Sequence, residues 1–359
     1  MTRPINFCSG PAALPLEVLQ RVQAECMDFE GSGISVMEHS HRDDRIVSLF
    51  ADTEARLLRL LGIPTGYRAL FLPGGATLQF SQVPLNLLTD DRPGAYLTTG
   101  AWSEKAIKEA RKFGSVVEVA SSQASRYTTI PDKAEWQVPA DARYFHICTN
   151  ETIHGVEWFG SLADISVPVV ADMSSHILSR QMPMGEFDLI YAGAQKNLGT
   201  SGVTLVILKD GLLEGEPQTM PGLMRYQSQL DNDSMVNTPP VISVWVLALT
   251  LQWLEQQGGV AAIEKANYAK ANALYGLIDQ SAFYQNPVQA HCRSLMNVPF
   301  VLADARLDAE FLAAADEAGL MNLKGHRSVG GMRASIYNAI SEQDVAVLMD
   351  FMAEFERTR

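Results

Sequence analysis

The chain is poor in cysteine, in basic charge and in long apolar runs, and each shortage removes a class of function. Only four cysteines occur in 359 residues, Cys8, Cys26, Cys148 and Cys292, and none forms a C-x-x-C pair. A disulfide framework and a cysteine-held metal are both excluded, so reduced thiols and no metal are expected. Lysine and arginine number 28 against 41 aspartate and glutamate, a net charge of −13, which argues against nucleic acid or an anionic membrane as main partner. The longest apolar stretch, Val241–Leu254, is too short to span a bilayer and carries Ser243, Thr250 and Gln252. It follows Pro239-Pro240 and reads as a buried helix opened by proline. The first residues, M-T-R-P-I-N-F-C-S-G, lack the apolar core of a signal peptide, and a cytoplasmic protein is expected. There is no G-x-G-x-x-G fingerprint, internal repeat or low-complexity tract.

What the chain does have is apolar bulk, 47% of its residues against 19% charged, enough for a large core and two domains. An N-terminal helix is expected to carry Val18, Leu19, Val22, Cys26 and Phe29 on one face, and a second to run over Asp52–Leu61. From Arg68 the pattern alternates strand, turn and helix. Strands are expected at Ala69–Leu72, Ala95–Thr98, Val116–Ala120, Tyr144–Cys148, Val167–Val170, Leu189–Ala194 and Val203–Leu208, with helices over Ala76–Leu88 and Ser103–Phe113. Alternation of this kind predicts an α/β fold with a mainly parallel sheet covered on both faces. Beyond Gly258-Gly259 a long helix, Val260–Leu277, leads into a smaller domain, with strands Asn297–Leu302 and Met332–Tyr337 and a helix over Asp308–Ala318. The last helix opens on Ser341-Glu342-Gln343-Asp344, a variant capping box.

Chemistry concentrates at strand ends. Lys196 follows a buried strand, where an ammonium group is rarely placed without a partner or a task. Asp172 follows the preceding strand, 24 residues earlier. A lysine able to form a Schiff base and an acid able to keep a pyridine nitrogen protonated are the two groups that pyridoxal phosphate requires. Gly74-Gly75-Ala76-Thr77, between a strand and a helix, suits an anion. Trp102, by itself an ordinary half-buried aromatic, offers a face for a planar ring, and Thr152 a hydroxyl. A second, basic constellation comprises His41 and Arg42 in one loop and His326, Arg327 and Arg333 in another, suited to phosphate or carboxylate.

These residues sit in N-F-C-S-G-P-A-A-L-P, S-H-R, A-D-M-S-S, Y-A-G-A-Q-K-N, D-N-D-S-M-V-N-T-P-P and L-K-G-H-R-S-V-G-G-M-R-A-S-I-Y-N-A. With that set in that order the chain resembles, over essentially its whole length, the phosphoserine aminotransferase family of class V, fold type I pyridoxal phosphate enzymes. The resemblance implies a large domain, residues 16–258, with a seven-stranded sheet, and a smaller α+β domain of residues 1–15 and 259–359. It implies that Lys196 carries the cofactor, Asp172 pairs with its ring nitrogen, Trp102 stacks on the ring and Thr152 bonds its edge. Ala76, Thr77 and Gln195 would hold the cofactor phosphate, completed by Asn237 and Thr238 of a second subunit, hence a homodimer. Arg333 and Ser9 would take the substrate α-carboxylate. His41 and Arg42, with His326 and Arg327 across the dimer, would take the substrate phosphate or the side-chain carboxylate of glutamate. The implied reaction is reversible transamination of 3-phosphohydroxypyruvate with L-glutamate, giving O-phospho-L-serine and 2-oxoglutarate in serine biosynthesis. A second implied substrate is 3-hydroxy-2-oxo-4-phosphonooxybutanoate in pyridoxine biosynthesis. Two departures stand out: D-D-R follows S-H-R in place of a basic stretch, and Thr77 stands where some members have arginine. The alternatives are a class V cysteine desulfurase, a cofactor-free lysine aldolase, and a binding protein whose lysine merely closes a strand.

Overall fold

The computed structural model describes residues 3–216 and 219–359. Seven strands form the central sheet: β1 Tyr67–Pro73, β2 Gly94–Thr98, β3 Val116–Ser121, β4 Tyr144–Cys148, β5 Val169–Asp172, β6 Leu189–Gly193 and β7 Val203–Lys209. Their spatial order is β1-β7-β6-β5-β4-β2-β3. The pairs β6/β5, β5/β4, β4/β2 and β2/β3 are parallel, while β7 runs antiparallel to both its neighbours. Only nine residues, 194–202, connect β6 to β7. That is too few for a parallel crossover, so the chain must turn back beside itself.

Both faces of the sheet are covered, which explains strands such as Y-F-H-I-C and L-I-Y-A-G in which every residue is buried. On one face Phe71, Phe145, Ile190 and Leu205 meet helices Asp44–Leu61 and Val241–Gln256. On the other, Tyr96, Tyr144 and Tyr191 meet helices Ala76–Leu87 and Ala101–Ala110. A separate apolar body gathers Phe7, Leu274, Phe300, Phe311, Leu348 and Phe355 around a three-stranded antiparallel sheet of Tyr284–Gln285, Asn297–Leu302 and Met332–Ser335. Phe7 joins this body because Ile5–Asn6 pairs with Leu320–Met321, a contact far apart in sequence.

Several element limits differ from expectation, each for a local reason. Helix Asp44–Leu61 begins earlier than Asp52 because Asp43 caps it, accepting the Arg45 N–H at 2.9 Å. Its buried stripe, Ile46, Phe50, Thr53, Leu57 and Leu61, keeps helical spacing throughout. One aspartate of the unusual D-D-R is thereby a helix cap. The first helix, Leu16–Glu25, stops short of Phe29, which lies in a 3₁₀ turn where Glu30 is left-handed at φ 51°. Strand β5 starts at Val169, two residues later than expected, since Pro168 has no N–H to give the ladder, and it ends on Asp172 itself. Helix Gly259–Gln280 is longer than expected at both ends. The capping box is present, with Asp344 N–H on Ser341 Oγ at 3.1 Å and Ser341 N–H on Asp344 Oδ2 at 2.8 Å. No helix of the described residues is long and apolar enough to cross a membrane.

Candidate active site

Parallel pairing puts Cys148, Asp172 and Tyr191 in register across β4, β5 and β6 near their carboxyl ends, where ligands of α/β sheets collect. The loop after β6 then brings Gln195 and Lys196 over the same edge. A cavity of about 260 Å³ opens there. From the sheet edge and the helices it is lined by Ala76, Thr77, Trp102, Thr152, Asp172, Gln195 and Lys196. Ser9, His326 and Arg333 reach it from the segments attached to the second apolar body.

Lys196 Nζ donates to Thr152 Oγ1 at 2.8 Å and stands 5.8 Å from the centre of the Trp102 ring. Burial pulls its pKa below that of a free lysine, with Asp172 and Cys148 opposing. The amine therefore loses its proton more readily than a surface lysine does. Asp172 is 6% exposed and accepts the Ser174 N–H at 2.9 Å. Burial pushes its pKa up, while the Ser174 hydrogen bonds and the Lys196 charge pull it back. An acid so placed holds a proton more readily than an exposed carboxyl does. Arg333 closes the cavity from the other side, donating from Nη2 to Ser9 Oγ at 2.6 Å and from Nη1 to the Thr152 carbonyl at 3.4 Å. Its planar fork suits a carboxylate.

The donor set fits pyridoxal phosphate. Helix Ala76–Leu87 has Gly75 as its N-cap, no side chain caps it, and Gly74 takes φ +106°, a turn a bulkier residue would strain. Free N–H groups and the positive helix end thus face the cavity as an anion seat. Trp102 Nε1 and Arg333 Nε are buried without a hydrogen-bond partner, consistent with a site that a polar ligand completes.

The other expected residues lie apart from this cavity. Arg42, Arg327, Asn237 and Thr238 are exposed, His41 is half-buried, and none of the five lines it. Three features escaped the sequence reading. Glu151 is fully buried beneath Trp102, Ser174 supports Asp172, and Asn150 Nδ2 bonds Asn297 Oδ1 at 3.0 Å, tying the cavity wall to the small sheet. Only Asn150-Glu151 carried a visible signal, as polar residues directly after a buried strand.

Known proteins resemble the chain over nearly its whole length. The family model for class V aminotransferases matches residues 5–348. The phosphoserine aminotransferase of Ectopseudomonas mendocina is 52% identical over 357 residues, covering 99% of this chain and 98% of the relative. That of Pseudomonas aeruginosa PAO1 is also 52% identical over 357 residues, with the same coverage. Among solved structures, a phosphoserine aminotransferase from Bacillus circulans subsp. alkalophilus superposes with a TM-score of 0.98 at 46% identity, covering 99% of each chain. A pyridoxal phosphate-bound phosphoserine aminotransferase from Trichomonas vaginalis gives 0.93 at 37% identity, over 98% of this chain and 100% of that one.

Proposed function

The chain belongs to the class V aminotransferases, and on that premise we propose that it transfers an amino group reversibly between L-glutamate and 3-phosphohydroxypyruvate, forming 2-oxoglutarate and O-phospho-L-serine. The observation that carries this reading is the meeting of three groups in one cavity: a buried lysine, a buried aspartate at the end of the neighbouring strand, and an arginine facing both from the small sheet.

Pyridoxal phosphate, when bound, supplies an electron sink for the substrate α-carbon. The chain's own groups do the rest. Ala76, Thr77 and Gln195 would hold the cofactor phosphate at the helix start, Trp102 would lie against the ring, and Asp172 would keep a proton on the ring nitrogen. Thr152 orients Lys196 and would bond the ring edge. Arg333, steadied by Ser9, fixes the α-carboxylate and so aims the α-hydrogen at Lys196 Nζ, which moves that proton as general base and then general acid. The lowered basicity of the buried amine suits both directions.

His326 extends the cavity toward the second substrate anion, and burial with the nearby Arg333 and Lys105 charges lowers its pKa. His41, Arg42 and Arg327 complete that anion site, and Asn237 and Thr238 the phosphate site, when two copies of the chain meet as a homodimer. The exposure of Arg42, Arg327, Asn237 and Thr238, and the absence of all five from the lining of the cavity of their own chain, support that placement. We assign residues 16–258 to the large domain, and 1–15 with 259–359 to the small one, a division supported by the two apolar bodies, with Val260 and Ile263 at the start of helix Gly259–Gln280 packing into the first. The four free thiols favour the cytoplasm. The phosphorylated oxobutanoate of pyridoxine biosynthesis, with its own phosphate and oxo acid, fits the same anion sites.

A desulfurase needs a cysteine thiolate on a mobile arm. Among the described residues the cysteine lining this cavity is Cys148, which is locked in β4, and burial drives its thiol pKa well up. The deciding experiment is an absorption spectrum of the purified protein before and after O-phospho-L-serine. Loss of the visible cofactor band together with release of the phosphorylated 2-oxo acid supports the reading. Sulfide release from cysteine, or full activity in a colourless protein, overturns it.

A further inference from the structure

Glu151 has no role in the reaction just described, yet it is among the most constrained charges in the molecule. Its side chain is 0% exposed, three residues past the end of β4, and among the described residues no ion pair neutralises it. Its carboxylate instead receives the opening turn of helix Ala101–Ala110. Trp102 N–H donates to Oε2 at 3.0 Å, Ser103 N–H to Oε1 at 2.8 Å, and the Ser103 hydroxyl to Oε1 at 2.6 Å. Ser103 Oγ in turn accepts the N–H groups of Thr99 at 2.9 Å and Gly100 at 3.1 Å. The helix start has glycine at its N-cap, Gly100, and so no capping side chain of its own. A carboxylate from another strand takes that place and meets the positive end of the helix.

Gly100 shows how tight the arrangement is. Its backbone is extended, a conformation open to any residue, but a Cβ there would lie 2.4 to 2.5 Å from the Glu151 carboxyl atoms. The glycine is required for close approach and not for its dihedral freedom. One side of this unit is Trp102, whose ring faces the cavity; the other is Thr152, the next residue, which bonds Lys196 and Arg333.

We propose that Glu151 is a positioning residue for the cofactor: as an external helix cap it fixes both the plane of Trp102 and the backbone of Thr152. This deepens the proposed transamination and rests on it. The test is titration of pyridoxal phosphate into the apoprotein, with the visible circular dichroism of the bound cofactor as second readout. Glu151→Gln keeps the shape but replaces one acceptor oxygen by a donor and removes the charge. Its cofactor affinity is expected to fall roughly ten- to a hundredfold, the scale of a lost charge-assisted hydrogen bond, with a diminished dichroic band. Trp102→Phe should alter the same band, and the double variant should bind no worse than the weaker single one. Unchanged affinity and dichroism in Glu151→Gln, or effects that simply add to those of Trp102→Phe, overturn the proposal. Should Glu151→Gln not fold, Gly100→Ala decides, because its methyl group displaces the carboxylate: the same losses sustain the proposal and wild-type behaviour refutes it. A wild-type protein that binds no pyridoxal phosphate would refute the proposed function instead.

Discussion

Gly155→Ala should be one of the most damaging single-methyl additions available to this chain. Gly155 ends the turn that follows Asn150–Glu151 and sits at φ +71°, where an L-residue pays about 1–2 kcal/mol. The added Cβ would stand 2.4 Å from Pro299 Cδ and 2.7 Å from the Asn297 carbonyl oxygen, a ring atom and a backbone atom that cannot swing aside. Overpacking of that kind costs about 1–3 kcal/mol more, so a total of about 2–5 kcal/mol is expected. With unfolding entropy of about 2.1 cal/mol/K per residue over 359 residues, melting should fall by roughly 3–7 °C. Calorimetry of the cofactor-loaded protein at matched concentration measures it. Gly276→Ala is the internal control. It lies inside helix Gly259–Gln280 with nothing within 4 Å of the new methyl, so it should stabilise by up to about 1 kcal/mol. A Gly155→Ala protein that melts within a degree of wild type, beside a control that behaves, would refute the packing described between the 150–157 hairpin and the small sheet.

Lys196→Ala should lower turnover by about a thousandfold or more, the scale of a lost general base, and abolish the visible cofactor band; a spectrum and a coupled transamination assay check both. Arg42→Ala should raise KM for O-phospho-L-serine by about tenfold with the cofactor band intact; equal damage to both would show that this arginine serves the cofactor. Lys270 is 2% exposed and donates to the carbonyls of Ile336, Tyr337 and Ile340, and burial lowers its pKa to about 7 against the opposing charges of Asp344 and Glu342. Between that value and the ordinary 10.5 the unfolded chain holds more protons. Stability should therefore rise with pH across this window, by about 1–3 kcal/mol from pH 7 to 9, and Lys270→Met should flatten the slope in urea titrations. A wild-type slope equal to that of the variant would show that the proton stays on in the fold.

The central strands and the Lys196–Asp172 pair were legible because burial on both sheet faces writes continuous apolar runs, and the charge that ends each run stands out. Tyr144–Cys148 and Asn297–Leu302 appear in the structure with the limits expected of them. The direction of β7 was not read from those runs, since parallel and antiparallel strands look alike when buried; the short 194–202 connection held the information. Pairings such as Ile5–Asn6 with Leu320–Met321 are too short to leave a period. Asp43 was read as a disturbance of the basic loop and proved to be a helix cap, a role set by the backbone after it. Glu151 was passed over because two of its three partners are main-chain N–H groups, which no side-chain pattern reveals.

The two-residue strand Asn150–Glu151, paired with Val156–Glu157, has a consequence for which length changes the chain tolerates. Neighbouring residues there perform opposite tasks: Glu151 turns to the helix start, whereas Thr152 turns to Lys196. A single-residue deletion before them would put the Thr152 hydroxyl under Trp102 and Ile153 beside the lysine, and an insertion would put Asn150 under Trp102 and the Glu151 carboxylate beside the lysine. Loops usually absorb such changes; this one has no room for half-correct versions. Libraries that randomise loop length should find the segment from Cys148 to Gly155 fixed in length even where its side chains are allowed to vary.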